Sequence, residues 1–238
     1  NNVLETKAEQ EKRFAAFAQG KPEYEGVVEK IDALVEKMTP ALRRTEYLYE
    51  ALNGAIEFGC PPALMDKMKE AIETKNDSLL QATKKQLESV YEGIYNKDYD
   101  QQVDRAVAKA ILPALAKALT PEELPAFYQT IEKEYKGNYD AYVDDLFDTS
   151  IMGSRANFDK FLKKPSVKAI DRDMATAYSR AKLEAIKAAS NEYSQPSKEL
   201  SLLHKAYIRG LGEMKQPVPS YPDANFTIRL TYGNVKSY

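Results

Sequence analysis

The sequence predicts an all-α fold, an irregular domain of about eight to ten helices followed by one short terminal β-hairpin. Three observations lead to this prediction. Apolar residues recur at spacings of three and four over most of the 238 residues, Pro and Gly interrupt the pattern, and strict apolar–polar alternation occurs only near residue 226. We assign the helices to a domain over 1–216 and the remainder, 217–238, to a linker and strands.

The first helices are predicted from an Ala-rich segment and a long apolar stripe. Val3 to Ala18 is predicted as one helix anchored by aromatic residues. The stripe from Val27 to Ile56 contains Pro40, so it is either one kinked helix or two helices with Thr39 as N-cap.

A Gly-Cys-Pro-Pro sequence at 59–62 predicts the end of the preceding helix. Two short helices are expected after it, and they meet at Asn76-Asp77. Another helix is expected over about 100–119. Its apolar face is predicted to contain Val103, Val107, Ile111 and Leu115.

The sharpest local signal of the chain lies at Thr120-Pro121-Glu122-Glu123. Thr at the N-cap, Pro at the first helical position and Glu three residues after the cap predict a helix from there to about Tyr135. Gly137 should break it, a helix ending near Asp148 should follow, and 149–153 should form a loop.

Ser154 is predicted to cap a helix that Pro165 ends. A long helix is then expected on the apolar stripe from Val167 to Ala189. The Ser-Gln-Pro-Ser sequence at 194–197 should separate it from a last helix over about 200–214.

The segment 226–232 alternates apolar and polar residues, which predicts a half-buried strand, and Gly233-Asn234 predicts a hairpin turn into 235–238. A two-stranded hairpin is marginally stable on its own, and no other strand is predicted. We therefore expect the chain to be an insert whose helices leave from and return to a β-rich body, with the activity residing in that body.

The charge balance and the hydropathy exclude two classes of function. The chain has 34 basic and 36 acidic side chains, a net charge of −2, and Lys and Glu alternate along every segment. Nucleic-acid binding proteins concentrate basic residues into a patch, so we predict no nucleic-acid partner. No apolar run approaches the roughly 20 residues that span a bilayer, so we predict no membrane insertion.

Neither candidate for nucleophilic or acid–base catalysis has the neighbours that it would need. The one histidine, His204, lies on the predicted last helix with no nucleophile or orienting carboxylate that the sequence can place beside it. The one cysteine, Cys60, has no basic flank to lower the pKa of its thiol, and we interpret it as a packing residue. We predict no catalytic residue in this chain.

No metal or cofactor site is predicted either. Acidic residues share one helix face, which is typical of a solvated stripe, and Asp98-Tyr99-Asp100 lacks the glycine and closing Glu of a calcium loop. Gly210-Leu211-Gly212 lacks the preceding strand of a phosphate loop. The acidic face consists of Asp140, Asp144 and Asp148, and Asp145 adjoins it.

The 16 tyrosines also suggest a ligand cleft, but most of them fall on the apolar stripes. We interpret these as core residues at helix edges with their hydroxyls in water. They include Tyr47, Tyr91, Tyr135 and Tyr178.

The segment from Tyr221 to Val235, Tyr-Pro-Asp-Ala-Asn-Phe-Thr-Ile-Arg-Leu-Thr-Tyr-Gly-Asn-Val, resembles a stretch of the bacterial serine dipeptidyl-peptidases of the seven and eleven type. The helix around 205–209 and the register of 1–20 are similar more loosely. In that family a chymotrypsin-like double β-barrel carries the triad and a helical domain is inserted into it. The resemblance implies that this chain is the insert and that the chain re-enters the barrel along the quoted segment.

The resemblance also implies that the triad lies outside the chain, and that the chain is an inactive helical cap that restricts access to the cleft. An asparagine near the start of the family's insert binds the substrate's amino terminus, but Asn1 and Asn2 do not match that motif. Oligopeptide substrate and the chain's own barrel are the implied partners, with a homodimer of the longer protein as a further expectation. The implied location is periplasmic or at the cell surface, and the preference for acidic or hydrophobic dipeptides stays open.

Two other functions stay open from the residues alone. One is a stand-alone helical scaffold whose grooves bind a peptide or a partner protein. The other is a helical enzyme with a site that the sequence does not reveal.

Overall fold

A computed structural model of the chain describes residues 3–95, 98–214, 233, 234 and 236. These residues form ten α-helices, one π-helix and one 3-10 helix, with no strand among them, which confirms the all-α prediction for this part of the chain. The predicted strand at 226–232, its return at 235–238 and the linker from 217 lie outside the described residues. The α-helices are α1 Val3–Ala18, α2 Val27–Tyr49, α3 Pro62–Glu73, α4 Asp77–Ile94, α5 Gln101–Ala118, α6 Phe127–Glu134, α7 Tyr139–Thr149, α8 Arg155–Lys163, α9 Val167–Asp171 and α10 Met174–Glu213.

The chain divides into two compact units. The described residues within Asn1–Lys37 and Pro196–Tyr238 form one, and Met38–Gln195 forms the other. Each unit has its own apolar core, and the larger core is built from α2 to α10 around fully buried side chains such as Leu48 and Phe58. None of the described helices combines the length and apolar composition that crossing a bilayer requires.

The smaller core is an aromatic cluster centred on Phe14, whose ring lies 4.6 Å from that of Tyr207 and 6.1 Å from that of Tyr24. Gly210 allows this packing, because a Cβ there would lie 2.5 Å from Cε2 of Phe14. The Gly210-Leu211-Gly212 sequence lies inside α10, so it is helical and forms no loop.

Several predicted helix ends are confirmed by their hydrogen bonds. The Asn76 side chain accepts from the backbone N–H of Leu79 at 3.0 Å and begins α4, as Ser154 accepts from that of Asn157 at 3.1 Å and begins α8. Gly137, with a φ of +75°, follows α6. These ends depend on local hydrogen bonds and backbone conformation, which the sequence specifies directly.

The helix predicted to begin at Pro121 begins later, at Phe127. The predicted capping contact forms, since the Thr120 backbone N–H donates to Oε2 of Glu123 at 2.9 Å. Pro125 prevents the turn from continuing, because its ring disfavours helical backbone at Leu124 and it has no N–H to donate.

The long helix predicted over Val167–Ala189 is two helices, α9 and α10. Asp173 separates them by acting as a cap, because its carboxylate accepts from the backbone N–H of Thr176 at 2.8 Å and from the Thr176 hydroxyl at 2.7 Å. The prediction failed because an apolar stripe continues across a break that a single capping residue imposes.

The predicted break at 194–197 is wrong as well, since α10 continues through Pro196 to Glu213. Ser194 and Ser201 donate to the carbonyls of Asn191 and Ser197, so their hydroxyls are bonded within the helix. A proline removes one helix hydrogen bond and leaves those of the neighbouring residues, so it does not by itself end a helix.

Of the two alternatives for Pro40, the structure has the single helix, with Pro40 inside α2. A π-helix follows at Glu50–Gly54, where the Ala55 N–H donates to the Glu50 carbonyl at 2.8 Å. The chain then runs as a loop to α3.

The apolar face predicted for α5 is confirmed at Leu115, which is buried, and at Val107 and Ile111, which pack partly buried against the core, but it is wrong at Val103. Val103 is 59% exposed, while the neighbouring Asp104 is 5% exposed. A polar residue can take a buried position where hydrogen bonds compensate for the lost water, and apolar spacing alone does not reveal that. The buried residues of α5 are Asp104, Ala108, Leu112 and Leu115.

Candidate functional site

His204 is exposed on α10. It makes no hydrogen bond to a carboxylate or to a nucleophile among the described residues. The structure thus does not assemble a general base around it.

Cys60 is buried, and its sulfur lies 3.4 Å from the Thr176 hydroxyl oxygen. Burial raises the pKa of the Cys60 thiol to about 12, and the nearby Thr176 hydroxyl offsets only part of that rise. The thiol therefore stays protonated near neutral pH, which removes its nucleophilic form.

The acidic face of α7 is an ion-pair network. Arg105 bonds Asp144 at 2.9 Å and also pairs with Asp148, and Lys109 bonds Asp144 at 2.8 Å. Lys109, with Arg105, lowers the pKa of Asp144, and Arg105 lowers that of Asp148. The protein's own cations take the places that a bound metal ion would need, and no grouping of metal-ligating side chains occurs among the described residues.

The Asp98-Tyr99-Asp100 segment starts α5. Asp100 accepts from the backbone N–H groups of Gln102 and Val103, and the Tyr99 hydroxyl donates to Asp104 at 3.0 Å. Tyr99 thus bonds to Asp104, a buried carboxylate whose role the sequence did not predict.

Asp104 holds the loop between the π-helix and α3. Its two oxygens accept from the backbone N–H groups of Glu57 at 3.0 Å and Phe58 at 2.7 Å. Burial raises the pKa of Asp104, and the hydrogen bonds that it accepts oppose that rise. The signal in the sequence was the polar residue beside the apolar stripe of α5, but only the long-range partners show its role.

Two residues of α10 bond to the backbone of the π-helix and of the loop that follows it. Lys182 Nζ donates to the Leu52 carbonyl at 3.0 Å, and Ser179 Oγ accepts from the Cys60 N–H at 2.9 Å. Burial lowers the pKa of Lys182. These polar groups are bonded to backbone, so the cluster around Asp104 is suited to holding a loop rather than to chemistry.

Of the four tyrosines predicted to be core residues, Tyr91 and Tyr178 are buried and Tyr135 is half-buried, but Tyr47 is exposed, which contradicts the prediction for that residue. Tyr91 stacks on Phe158 at 4.4 Å between ring centroids. The Tyr178 hydroxyl was predicted to lie in water, but Tyr178 is fully buried and its hydroxyl has no partner among the described residues. The rings of α6 and α7 enclose it, since Phe127 lies 4.9 Å away.

One face of α10 borders three adjoining depressions, of about 510, 310 and 180 Å³, which share Ala126 and Ala181. We call them together the α10 groove. Sequence reasoning missed it because the alanines of α10 fit an ordinary buried stripe. The groove is lined by Arg44, Asp66, Lys69, Glu122–Phe127, Thr130, Tyr142, Ile170, Asp171, Asp173, Met174, Thr176, Ala177, Arg180, Ala181, Glu184, Ala185, Ala188, Ala189 and Glu192.

Curated relatives match the chain over most of its length. It is 54% identical over 240 residues to dipeptidyl-peptidase 7 of Phocaeicola vulgatus, with 100% of this chain and 33% of that protein covered. It is 32% identical over 220 residues to the Asp/Glu-specific dipeptidyl-peptidase of Porphyromonas gingivalis, covering 92% of this chain and 31% of that protein. The chain thus spans about a third of the length of these relatives.

Solved structures of Porphyromonas endodontalis DPP11 share the fold. The complex with the dipeptide Arg-Glu has a TM-score of 0.76 at 24% identity, covering 90% of this chain and 30% of that one. The alternate conformation has a TM-score of 0.71 at 24% identity, covering 88% and 32%. The family model described as peptidase S46 matches residues 1–238. The chain belongs to the peptidase S46 family.

Proposed function

We propose that this chain is the helical cap of a serine dipeptidyl-peptidase that removes dipeptides from the free amino terminus of oligopeptides. The observation that carries the proposal is the match over the whole chain to peptidase S46, together with 54% identity to a protein named dipeptidyl-peptidase 7. The cap restricts access to the catalytic cleft and supplies no catalytic residue.

The chemistry of the described residues supports a role without catalysis. His204 is exposed and the Cys60 thiol is buried and protonated. Asp144 and Asp148 of α7 form ion pairs with Arg105 and Lys109. The reacting groups would then come from the part of the longer protein that this chain does not span.

The proposal includes the chain's partners and location. The partners are the oligopeptide substrate, a β-barrel catalytic domain of the same polypeptide, and a second copy of the longer protein. The longer protein would act in the periplasm or at the cell surface.

The activity is tested by comparing the longer protein with this chain alone on fluorogenic dipeptide substrates. The longer protein should release the fluorophore from substrates with a free amino terminus and not from acetylated ones. The isolated chain should release neither. Release by the purified chain would contradict the proposal.

The cap role needs a separate test, in which a flexible linker replaces the chain within the longer protein. Labelling by a fluorophosphonate probe would show that the serine site is still assembled. Products from an unblocked decapeptide should then lose the two-residue register, and acetylated peptides should be cut. Unchanged release of dipeptides alone would contradict the cap role.

The α10 groove favours a second candidate, the stand-alone helical scaffold that binds a peptide. This candidate predicts peptide binding without any effect on the register of cleavage. The linker replacement therefore separates the two functions.

A further inference from the structure

The α10 groove has the dimensions of a short extended peptide. Ala177, Ala181, Ala185 and Ala188 share one face of α10 and line it. At 1.5 Å per residue this row is about 16 Å long, the length of about five extended residues. Methyl side chains let another backbone approach a helix closely, so a peptide backbone can lie directly on this row of alanines.

An unbonded hydroxyl lies within this groove. Tyr142 lines the depression beside Ala177 and is 2% exposed. Its hydroxyl makes no hydrogen bond with any residue that the structure describes, and the same is true of the Thr130 hydroxyl nearby. Burial raises the pKa of Tyr142, so this hydroxyl remains a donor at neutral pH. A backbone carbonyl in the groove would satisfy it.

The charge on the groove is strongly negative. Its two larger depressions contain seven acidic and three basic side chains. The basic ones are already paired: Lys69 with Asp171 at 2.8 Å, Arg180 with Asp66 at 2.7 Å, and Arg44 with Glu192.

Glu122 and Glu184 line the groove without an ion pair to any described residue. Arg180 attracts Glu184 at longer range but is already paired with Asp66. An incoming Lys or Arg therefore meets two acids that form no ion pair with a described residue, whereas an incoming Glu or Asp is repelled.

We propose that the α10 groove binds a short, extended peptide segment that carries Lys or Arg side chains. The segment's backbone lies on the alanine row, the Tyr142 hydroxyl donates to one of its carbonyls, and Glu122 and Glu184 pair with its basic side chains. The inference goes beyond the proposed function, because it assigns the helical chain a peptide-binding surface of its own. It rests on no peptidase activity.

Binding is tested by fluorescence anisotropy with the chain and the labelled, blocked pentapeptide acetyl-Ala-Lys-Ala-Lys-Ala-amide. Peptides with Glu or Gln in place of Lys serve as comparisons. The Lys peptide should bind about ten-fold more tightly than the Glu peptide at low salt, and raising the salt to about 0.5 M should weaken it.

Two variants locate the binding. Tyr142→Phe removes only the hydroxyl and should lower affinity about three-fold to ten-fold without lowering the melting temperature. The double variant Glu122→Gln/Glu184→Gln should remove most of the preference for Lys. Its matched control is Glu36→Gln/Glu46→Gln, the same change of charge at exposed positions outside the groove.

Three possible results of these binding measurements contradict the proposal. Equal affinity for the Lys and Glu peptides, absence of binding, or equal losses in the two double variants would each overturn the proposal. Binding by this chain and dipeptide release by the longer protein are separate measurements, so either can fail while the other stands.

Discussion

At the scale of single residues, Asp104 has the largest structural effect that apolar spacing could not predict. It is 5% exposed and accepts three hydrogen bonds, from the backbone of Glu57 and Phe58 and from the Tyr99 hydroxyl. Removing a buried acceptor leaves its donors unpaired, which costs more than the bonds themselves contribute.

We expect Asp104→Ala to lower the free energy of unfolding by about 2 to 5 kcal/mol, because the buried backbone N–H of Phe58 and the part-buried N–H of Glu57 lose their acceptor. Asp104→Asn keeps one acceptor and should lose about half as much. Urea unfolding followed by circular dichroism measures both. Asp148→Ala is the control, since an exposed ion pair contributes up to about 1 kcal/mol. Similar losses for Asp104→Ala and Asp148→Ala would contradict this role.

The same variants have a pH dependence with a definite sign. Burial raises the pKa of Asp104, so the folded state binds this proton more readily than the unfolded state does. The stability that protonation of Asp104 adds is fully present below the unfolded pKa of about 4. It is lost as the pH rises through the pKa of Asp104 in the folded state. The stability of the unmodified chain relative to Asp104→Asn should therefore be greater at about pH 4 than at pH 7.

At the scale of elements, α10 shows how local signals compete. Asp173 starts the helix where apolar spacing predicted continuity, and Pro196 lies inside it where a break was predicted. A cap acts at one residue through hydrogen bonds. A proline, in contrast, removes one helix donor and adds a steric contact, which lowers stability without necessarily ending the helix.

Replacing Pro196 by Ala should raise the free energy of unfolding by about 1 to 2 kcal/mol, because it restores a helix donor and removes a steric contact. Differential scanning calorimetry measures the gain as a higher melting temperature. Pro165→Ala is the control, since Pro165 lies between α8 and α9 and its replacement only loosens the unfolded chain. A fall in melting temperature for Pro196→Ala would mean that the proline fits this helix without strain.

At the scale of the whole molecule, the two compact units have separate cores. Phe14, Tyr24 and Leu211 belong to the smaller core, and the larger one extends from Leu48 to Ala189. A small core buries less apolar surface, so it should open at a lower free energy.

Phe14→Ala should therefore destabilise the smaller unit by about 3 to 5 kcal/mol, because it removes a fully buried ring. Hydrogen exchange should accelerate in peptides from 3–37 and 198–214 and change little in 62–95. Phe158→Ala, in the larger core, is the matched control and should show the reverse pattern. Uniform acceleration by Phe14→Ala would mean that the two cores open as one.

Much of the helical fold could be predicted, and each failure has its own physical cause. The ends of α4 and α8 were predicted correctly because Asn76 and Ser154 bond to backbone three residues away. The start of α6 was missed because Pro125 stops the turn that the Thr120 capping pattern begins, and the break before α10 was missed because Asp173 interrupts a continuous apolar stripe. The α10 groove was missed because alanines that line a surface cannot be told from alanines in a core.

The sequence alone determined the helical class, most helix ends and, through the segment near 221–235, the family resemblance. It also left no histidine or cysteine with neighbours that could activate it. These properties depend on residues within a turn or two of each other, or on residue identity alone. Only the tertiary structure decided that Asp104 is buried, that Tyr178 is fully buried, and that the alanines of α10 line a groove. Burial and charge balance are set by neighbours distant in sequence, whose positions local spacing does not specify.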